Sequence, residues 1–182
     1  MELVEKALKK EIVYQGKRFA FCSDEVLLPN GSTSRRDYIV HPGAVAVLAL
    51  DDDNNIYFVR QFRYPYGRVI LELPAGALEK NENPMDAAIR ELREETGAVC
   101  SELESLGEYY PSPGYCDEVI YLYYTRVKSV GRQQLDDDEF VNVVKIPLSD
   151  AVDMILGNEI KDGKTVAAIL KLATTILTDA MR

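Results

Sequence analysis

The chain has 182 residues, a formal net charge of −9, 47% hydrophobic residues and 28% charged residues. These values are ordinary for a globular protein, and the length suffices for one domain with a hydrophobic core. The net negative charge argues against a protein whose main function is to bind nucleic acid, since such proteins are usually basic. The sequence contains no apolar run near the ~18 residues of a membrane span and no secretory signal pattern. We therefore expect a cytoplasmic protein that binds neither nucleic acid nor membranes.

The number and spacing of the cysteine and histidine residues limit the kinds of catalytic and metal sites that the chain can form. The three cysteines, Cys22, Cys100 and Cys116, are odd in number and widely spaced, which predicts free thiols and no zinc site. His41 is the single histidine, which argues against a histidine-based triad or a multi-histidine metal site. Any metal would therefore be held by oxygen ligands, which points to Mg²⁺ or Mn²⁺.

The first half of the chain is predicted to form strands, with a turn at Pro29-Asn30-Gly31. The predicted strands are residues 9–22, 25–28, 36–41, 44–50, 56–63 and 69–73. Residues 44–50 form a continuous apolar run, which is typical of a buried strand. We expect residues 1–42 to form an N-terminal antiparallel strand unit and residues 43–182 to form the main domain.

The second half mixes helices and strands. A helix is predicted over residues 84–97, because Asn83 can cap it, Pro84 suits its first position and Gly97 ends it. Further strands are expected at 101–110, 118–126 and 139–147, and further helices at 150–156, capped by Ser149, and at 164–180. The order of elements predicts a mixed α/β domain.

The helix at 84–97 concentrates carboxylates on one face. With Glu91 at zero on a helical wheel of roughly 100° per residue, Glu95 falls near about +40° and Glu94 near about −60°. The predicted core face comprises Met85, Ala88, Ile89, Leu92 and Thr96. Carboxylates placed this close together on one helix face repel one another and lower the stability of the fold. A bound divalent cation would remove that repulsion. A solvated acidic face, with Arg90 and Glu94 as a simple ion pair, remains the alternative.

The residues around this helix resemble the Nudix box. The pattern is Gly76, five residues, Glu82, seven residues, and then Arg90-Glu91-Leu92-Arg93-Glu94-Glu95-Thr96-Gly97-Ala98. It matches at every fixed position, and Ala98 is only smaller than the usual bulky aliphatic residue. The resemblance implies an α/β/α sandwich with a mixed sheet. It also implies a Mg²⁺-dependent hydrolase of a nucleoside diphosphate linked to another group.

The resemblance also implies roles for individual residues. Glu91, Glu94 and Glu95 are expected to bind the metal together with the backbone carbonyl of Ala75, and Arg90 is expected to orient Glu94. Glu82 and Gly76 are expected to shape the loop. Two or three Mg²⁺ ions, with Mn²⁺ as the alternative, would neutralise the diphosphate and activate a water molecule. The nucleophile would then be water, which fits a chain with one histidine.

A second element resembles the ADP-ribose pyrophosphatase subfamily. Ser112-Pro113-Gly114 is followed four residues later by Glu118. Residues 59–64, 72–76 and 36–38 are similar to the same subfamily. We expect Ser112, Pro113, Gly114 and Glu118 to bind substrate, together with the upstream arginines Arg36, Arg63 and, more weakly, Arg60. The alternatives are a simple Pro-Gly turn and ordinary surface arginines.

The catalytic base and the base-stacking residue are less directly indicated. Glu139 matches best the loop base of the resembled subfamily, and a solvated acidic turn over residues 131–139 is the alternative. Adenine could stack on one of four aromatic residues, Phe19, Phe21, Tyr64 or Tyr115. The resemblance further implies a homodimer that exchanges its N-terminal strands.

Three functional hypotheses follow from these features. The first is hydrolysis of ADP-ribose to AMP and ribose 5-phosphate. The second keeps the chemistry but takes another nucleoside diphosphate sugar, such as ADP-glucose or GDP-mannose. The third is a sensor that binds a nucleotide sugar without hydrolysing it. Such domains typically lose box glutamates, whereas Glu91, Glu94 and Glu95 are all present.

Overall fold

The structure is a computed structural model that describes residues 3–100 and 102–182. It divides into two compact units. The first comprises Met1–Gly43 and Tyr110–Val119, and the second comprises Ala44–Tyr109 and Ile120–Arg182. Among the described residues, no helix is both long and apolar enough to cross a membrane.

The first unit contains a four-stranded antiparallel sheet. Its strands are β1 (Lys6–Lys9), β2 (Ile12–Gln15), β3 (Ala20–Leu27) and β4 (Thr33–Val40). The predicted strand 9–22 is wrong, because the chain turns back after β2 and the Gly16 amide donates to the Phe19 carbonyl at 3.0 Å. The predicted turn before β4 is confirmed, with Gly31 in the left-handed region at φ 86°.

The segment Tyr110–Val119 extends this unit along β4. The Ile39 amide donates to the Tyr115 carbonyl at 2.8 Å, and the Asp117 amide donates to the Ile39 carbonyl at 3.1 Å. The Ser-Pro-Gly element therefore belongs to the same unit as the strand that contains Arg36.

The second unit contains a mixed eight-stranded sheet. Its strands are β5 (Ala44–Leu50), β6 (Asn55–Arg63), β7 (Arg68–Glu72), β8 (Ala75–Ala77), β9 (Ala98–Cys100), β10 (Glu104–Tyr109), β11 (Ile120–Val130) and β12 (Val141–Pro147). The strand order is β10-β11-β5-β6-β12, with β7 on β6, β8 on β5 and β9 on β11. A short 3-10 helix, Tyr64–Tyr66, follows β6. Strands β5 and β11 are parallel, and the other pairs are antiparallel.

Helices cover both faces of this sheet. They are α1 (Pro84–Thr96), α2 (Leu148–Leu156) and α3 (Gly163–Ala180). Every residue of β5 is buried, and alternate side chains enter opposite cores because side chains alternate along a strand. Ala46 and Leu48 pack in the core with α2 and α3, whereas Val45 and Val47 pack in the core with α1. The predicted α/β/α sandwich with a mixed sheet is thus confirmed.

Helix boundaries follow local capping chemistry. The Asn83 side chain accepts from the Met85 amide at 2.8 Å, and Gly97 ends α1 with φ 71°, as predicted. The prediction that Ser149 caps α2 is wrong. The helix begins at Leu148 after Pro147, and the Ser149 hydroxyl donates to Asp150 at 3.0 Å instead.

Several strand limits differ from the prediction. The strand expected at 101–110 begins at Glu104, and residue 101 lies outside the described residues. The strand expected at 118–126 runs as β11 to Val130. Strand β12 begins at Val141, so Glu139 lies in the preceding loop. Strands β8 and β9 were not predicted, because three residues are too few to show a periodic pattern.

Candidate active site

Strand β8, which precedes the acidic helix α1, approaches that helix very closely. Gly76 lies in β8, opposite Val45 of β5. A Cβ atom built on Gly76 would overlap the Glu91 carboxylate. Only glycine leaves room for the Glu91 side chain against this strand, so the close approach explains the residue type.

The buried face of α1 differs from the predicted one. Ala88, Leu92 and Thr96 are buried as expected, but Met85 and Ile89 are 44% and 46% exposed. Glu91 and Glu95 occupy the buried face in their place. The helix therefore places two glutamates toward the protein interior, where a carboxylate is costly unless it is paired or bound to a cation.

Arg90 joins three carboxylates. Its Nε and Nη2 donate to the two oxygens of Glu82 at 2.8 and 2.9 Å. Its Nη1 donates to Glu91 at 2.6 Å and to Glu94 at 3.1 Å. Glu82 also accepts from the Glu79 amide at 2.9 Å. Arg90 thus orients the side chains of Glu91 and Glu94 and ties the helix to the Glu79–Glu82 turn.

Glu95 is the most deeply buried of the three metal-ligand candidates. One of its carboxylate oxygens accepts from the Ala75 amide at 2.8 Å. The pKa of Glu95 is raised to about 8, mainly by burial; the Ala75 amide opposes this rise, and the negative charges of Glu139 and Glu91 contribute to it. Burial likewise raises the pKa of Glu91, with Arg90 opposing and Glu94 and Glu139 reinforcing that rise.

The pKa shifts of Glu91 and Glu95 show that several negative charges lie near the buried face of α1. Glu139 from the β11–β12 loop acts on both Glu91 and Glu95, so the structure brings this loop carboxylate to the same region. Arg63 of β6 also acts there, since its positive charge lowers the pKa of Glu95. The site therefore gathers side chains from α1, from β6 and from the loop after β11.

The donor chemistry of this site fits a hard divalent cation. All its side-chain donors are carboxylate oxygens, which Mg²⁺ and Mn²⁺ prefer, and their mutual repulsion is relieved by a cation. Within residues 3–100 and 102–182, no three His, Cys, Asp or Glu side chains already converge as a metal centre. Instead Arg90 occupies oxygens of Glu91 and Glu94. The amide of Ala75 contacts Glu95, and the role of its carbonyl stays a prediction.

The loop that contains Glu139 is attached to the end of α1. The Gly131 amide donates to the Gly97 carbonyl at 2.7 Å, and the Gln134 amide donates to the Glu94 carbonyl at 2.9 Å. The Gln133 side chain donates to the Glu95 carbonyl at 2.5 Å. These donors satisfy carbonyls that a helix end leaves without partners.

The predicted substrate arginines of β6 differ in environment. Arg63 makes a bidentate pair with Glu72, with Nε–Oε1 and Nη2–Oε2 distances of 2.6 and 2.7 Å. Lys164 of α3 also donates to Glu72. Arg60 is exposed on the same strand. Of the two, only Arg63 has a described charge interaction with the buried carboxylates of the site.

The remaining predicted substrate residues lie in the first unit. Arg36 makes a bidentate pair with Glu5 at 2.9 and 2.5 Å. The Ser112 carbonyl accepts from the Tyr115 and Cys116 amides at 3.1 and 2.9 Å, which forms a turn with Pro113 and Gly114 exposed. Glu118 lies 3.5 Å from His41 Nδ1. The four candidate stacking residues, Phe19, Phe21, Tyr64 and Tyr115, are all exposed.

The sequence indicates no role for three residues that the structure places near these groups. Glu72 falls within the segment 72–76 that is similar to the subfamily, and Lys164 begins a predicted helix. Gln133 lies in the acidic loop over residues 131–139. The capping pattern at Asp162 marks the start of α3, but nothing in the sequence indicates which strand that helix end contacts.

The chain matches one protein family model and is similar to several known proteins. The NUDIX domain family model matches residues 40–169. The chain is 44% identical to the ADP-ribose pyrophosphatase of Bacillus subtilis (strain 168) over 169 residues, which cover 92% of this chain and 91% of the relative. It is also 44% identical to the methanol dehydrogenase activator of Bacillus methanolicus over 167 residues, which cover 91% and 90%.

A solved structure shares the fold. A crystal structure of an ADP compounds hydrolase superposes with a TM-score of 0.85 over 98% of each chain, at 20% identity. At this low identity the likeness concerns the fold alone. The family match, however, spans the carboxylates of α1, Gly76 and the Glu139 loop. On this basis the chain is a member of the NUDIX domain family.

Proposed function

We propose that this chain hydrolyses the pyrophosphate of ADP-ribose to AMP and ribose 5-phosphate. The observation that carries the proposal is the buried carboxylate face of α1, with Glu91 packed against Gly76 and Glu95 bonded to Ala75. The relative named ADP-ribose pyrophosphatase supports the choice of substrate. A second relative, which is also 44% identical in sequence, has a different name, so sequence identity alone does not indicate the substrate.

Glu91, Glu94 and Glu95 would hold the metal, with the Ala75 carbonyl beside them. A bound Mg²⁺, or Mn²⁺ in its place, supplies neutralising charge for the diphosphate and lowers the pKa of water. We propose two or three ions for the active complex. Arg90 keeps Glu91 and Glu94 in place through its hydrogen bonds to both side chains.

The protein side chains account for the remaining steps. Glu139 removes a proton from the attacking water, whose oxygen forms a new bond to one phosphorus. The bond from that phosphorus to the bridging oxygen then breaks, and the bridging oxygen leaves with the other phosphate. The charge of Glu139 already acts on Glu91 and Glu95, which supports its assignment as the base. Arg63 binds phosphate oxygens, as a guanidinium suits.

Substrate selection is assigned to residues outside α1. Arg36, Arg60, Ser112, Pro113, Gly114 and Glu118 are proposed to contact the substrate. To bind a phosphate or ribose group, Arg36 would break its ion pair with Glu5. This pair can open because both side chains lie at the surface. One of the exposed aromatic residues would stack on adenine.

We also propose a homodimer in which residues 1–42 exchange strands and cover the substrate of the partner. Every residue of β1 and β2 is exposed in the single chain. Leu8, Ile12, Val13 and Tyr14 are between 54% and 64% exposed, and such apolar surface favours burial against another chain. The three free cysteines support a reducing cytoplasm as the location.

A substrate panel tests the proposed activity. The protein is incubated with Mg²⁺ and ADP-ribose, ADP-glucose or GDP-mannose, and the released phosphate esters are quantified. We expect the highest kcat/KM for ADP-ribose. A ranking with ADP-ribose among the poorest substrates would replace it with another nucleoside diphosphate sugar. Binding without hydrolysis of any compound would favour the sensor.

The dimer has its own test. Light scattering coupled to size-exclusion chromatography should give twice the chain mass of 20.5 kDa. Replacing Ile12 and Tyr14 with Ser removes apolar surface from β2 and should shift the protein toward the monomer. A wild-type monomer at micromolar concentration would contradict the proposed dimer.

A further inference from the structure

Glu72 is a buried carboxylate that two cations share. Its side chain is 3% exposed, and Arg63 donates to both of its oxygens. Lys164, whose side chain is 11% exposed, donates to the same Oε2 atom that accepts from Arg63 Nη2. A buried carboxylate with two buried or half-buried cations is held far more firmly than a surface ion pair.

Lys164 reaches Glu72 from the first turn of α3. Its ammonium also donates to Asp162 at 3.0 Å, and Asp162 caps the helix by accepting from the Thr165 amide at 3.1 Å. The Thr165 hydroxyl donates to Asp162 at 2.6 Å and accepts from the Leu73 amide at 2.8 Å. The start of α3 therefore holds both the side chain of Glu72 and the backbone that follows it.

This attachment lies next to the carboxylates of the active site. Ala75 follows Leu73 by two residues and donates its amide to Glu95 at 2.8 Å. The Pro74 carbonyl accepts from the Val47 amide at 2.9 Å, which fixes the segment to β5. The guanidinium of Arg63, which Glu72 holds, is close enough to Glu95 to lower the pKa of that carboxyl.

We propose that Lys164 is a positioning residue that acts through Glu72 to set the orientation of the Arg63 guanidinium beside Glu95. The role rests on the proposed function, in which Arg63 binds a phosphate of the substrate. Lys164 does not touch the substrate itself.

Charge balance gives the physical reason. Glu72 and Asp162 are two negative charges, and Arg63 and Lys164 are two positive charges, so the group is neutral. Without Lys164 an excess negative charge would remain beside Arg63 in a poorly solvated place. The guanidinium would then turn more strongly toward Glu72 and Asp162, and would be less available to a phosphate.

Lys164→Met tests this role, because it keeps the length of the side chain and removes the charge. We expect KM for ADP-ribose to rise about tenfold and kcat to change much less. Lys164→Arg, which restores a cation, should recover most of the lost affinity. Lys171→Met is the matched control, since Lys171 lies on the same helix, is exposed, and donates to the Leu106 carbonyl.

A double-mutant cycle tests whether Lys164 affects KM through Arg63. If Lys164 acts through Arg63, Lys164→Met should change KM little when Arg63 is already replaced by Ala. Fully additive effects would overturn the proposal, as would an unchanged KM in Lys164→Met. A KM rise that Lys164→Arg does not reduce would indicate a purely structural brace and would also overturn it. Should Lys164→Met fail to fold, Lys164→Gln takes its place.

Binding without turnover separates this inference from the proposed function. Isothermal titration of ADP-ribose in the presence of EDTA should show about tenfold weaker binding for Lys164→Met than for wild type. Wild-type protein that binds ADP-ribose but hydrolyses nothing would defeat the proposed hydrolysis and leave the binding comparison decisive. Wild-type hydrolysis with equal binding by both proteins would defeat the positioning role alone. Wild-type protein that neither hydrolyses ADP-ribose with Mg²⁺ nor binds it would defeat both.

Discussion

Gly76 and Glu91 are in such close contact that a single methyl group on the glycine would occupy the place of the carboxylate. The two residues are fifteen positions apart in the sequence, and β8 and α1 bring them together. The absence of a side chain at one position therefore determines where a carboxylate can lie at the other.

Gly76→Ala should displace Glu91 and remove most of the activity. Overpacking at such a contact costs roughly 1–3 kcal/mol of stability, so the variant should still fold. We expect kcat/KM for ADP-ribose to fall on the order of a hundredfold, because the carboxylate loses its position. Gly157→Ala is the control, since its Cβ would meet the Asp153 carbonyl at 3.2 Å in α2 and should lower the melting temperature slightly without loss of activity. Wild-type activity in Gly76→Ala would contradict the assigned contact.

Replacement of Glu139 should separate catalysis from binding. Glu139→Gln keeps the shape of the side chain but cannot accept the proton of water, so turnover should fall about a hundredfold or more. KM and the Mg²⁺ concentration for half-maximal activity should change much less. Asp137→Asn, two positions earlier in the same loop, is the matched control and should remain near wild type. Equal activity of Glu139→Gln and wild type would rule out Glu139 as the base.

The buried carboxyl of Glu95 predicts a pH-dependent stability for the metal-free protein. Burial raises its pKa from 4.5 to about 8, so the folded state retains a proton that the unfolded chain has released. Stability should therefore fall as the pH rises through this interval. Glu95→Gln removes the cost of the charge, and at about pH 9 the metal-free variant should melt roughly 4 °C or more above wild type.

Addition of Mg²⁺ provides the second half of this experiment. Wild type should gain stability with Mg²⁺, since the ion binds the folded state, whereas Glu95→Gln should gain much less. Glu102→Gln, a replacement outside the site, should behave as wild type in both conditions. A Glu95→Gln variant that melts below wild type without metal at about pH 9 would contradict the buried-charge explanation.

Arg90 should require a guanidinium rather than a positive charge alone. Its fork donates to Glu82, Glu91 and Glu94 at once, and a lysine ammonium cannot span these three carboxylates. Arg90→Lys should therefore lower kcat/KM by about tenfold to a hundredfold. Arg93→Lys, on the exposed side of the same helix, should have little effect. If both variants retain full activity, the Arg90 network has no role in holding the glutamates.

Local patterns were sufficient to predict much of the main domain. The unbroken apolar run predicts strand β5, and Asn83, Pro84 and Gly97 predict α1, because each signal depends on neighbours within a few residues. The face of α1 was not predicted correctly. Met85 and Ile89 fit an amphipathic pattern, but the contact with β8 turned Glu91 and Glu95 inward and left those apolar residues exposed.

The acidic helix, its caps and the glycine before it are specified by residue type and short-range spacing. The contact between Lys164 and Glu72, ninety-two residues apart, depends instead on how α3 packs against the sheet. Only the fold likewise placed the Glu139 loop against the carbonyls at the end of α1. Such partners depend on how strands and helices pack, and a lysine or a glutamine shows no periodicity that would reveal its distant contact.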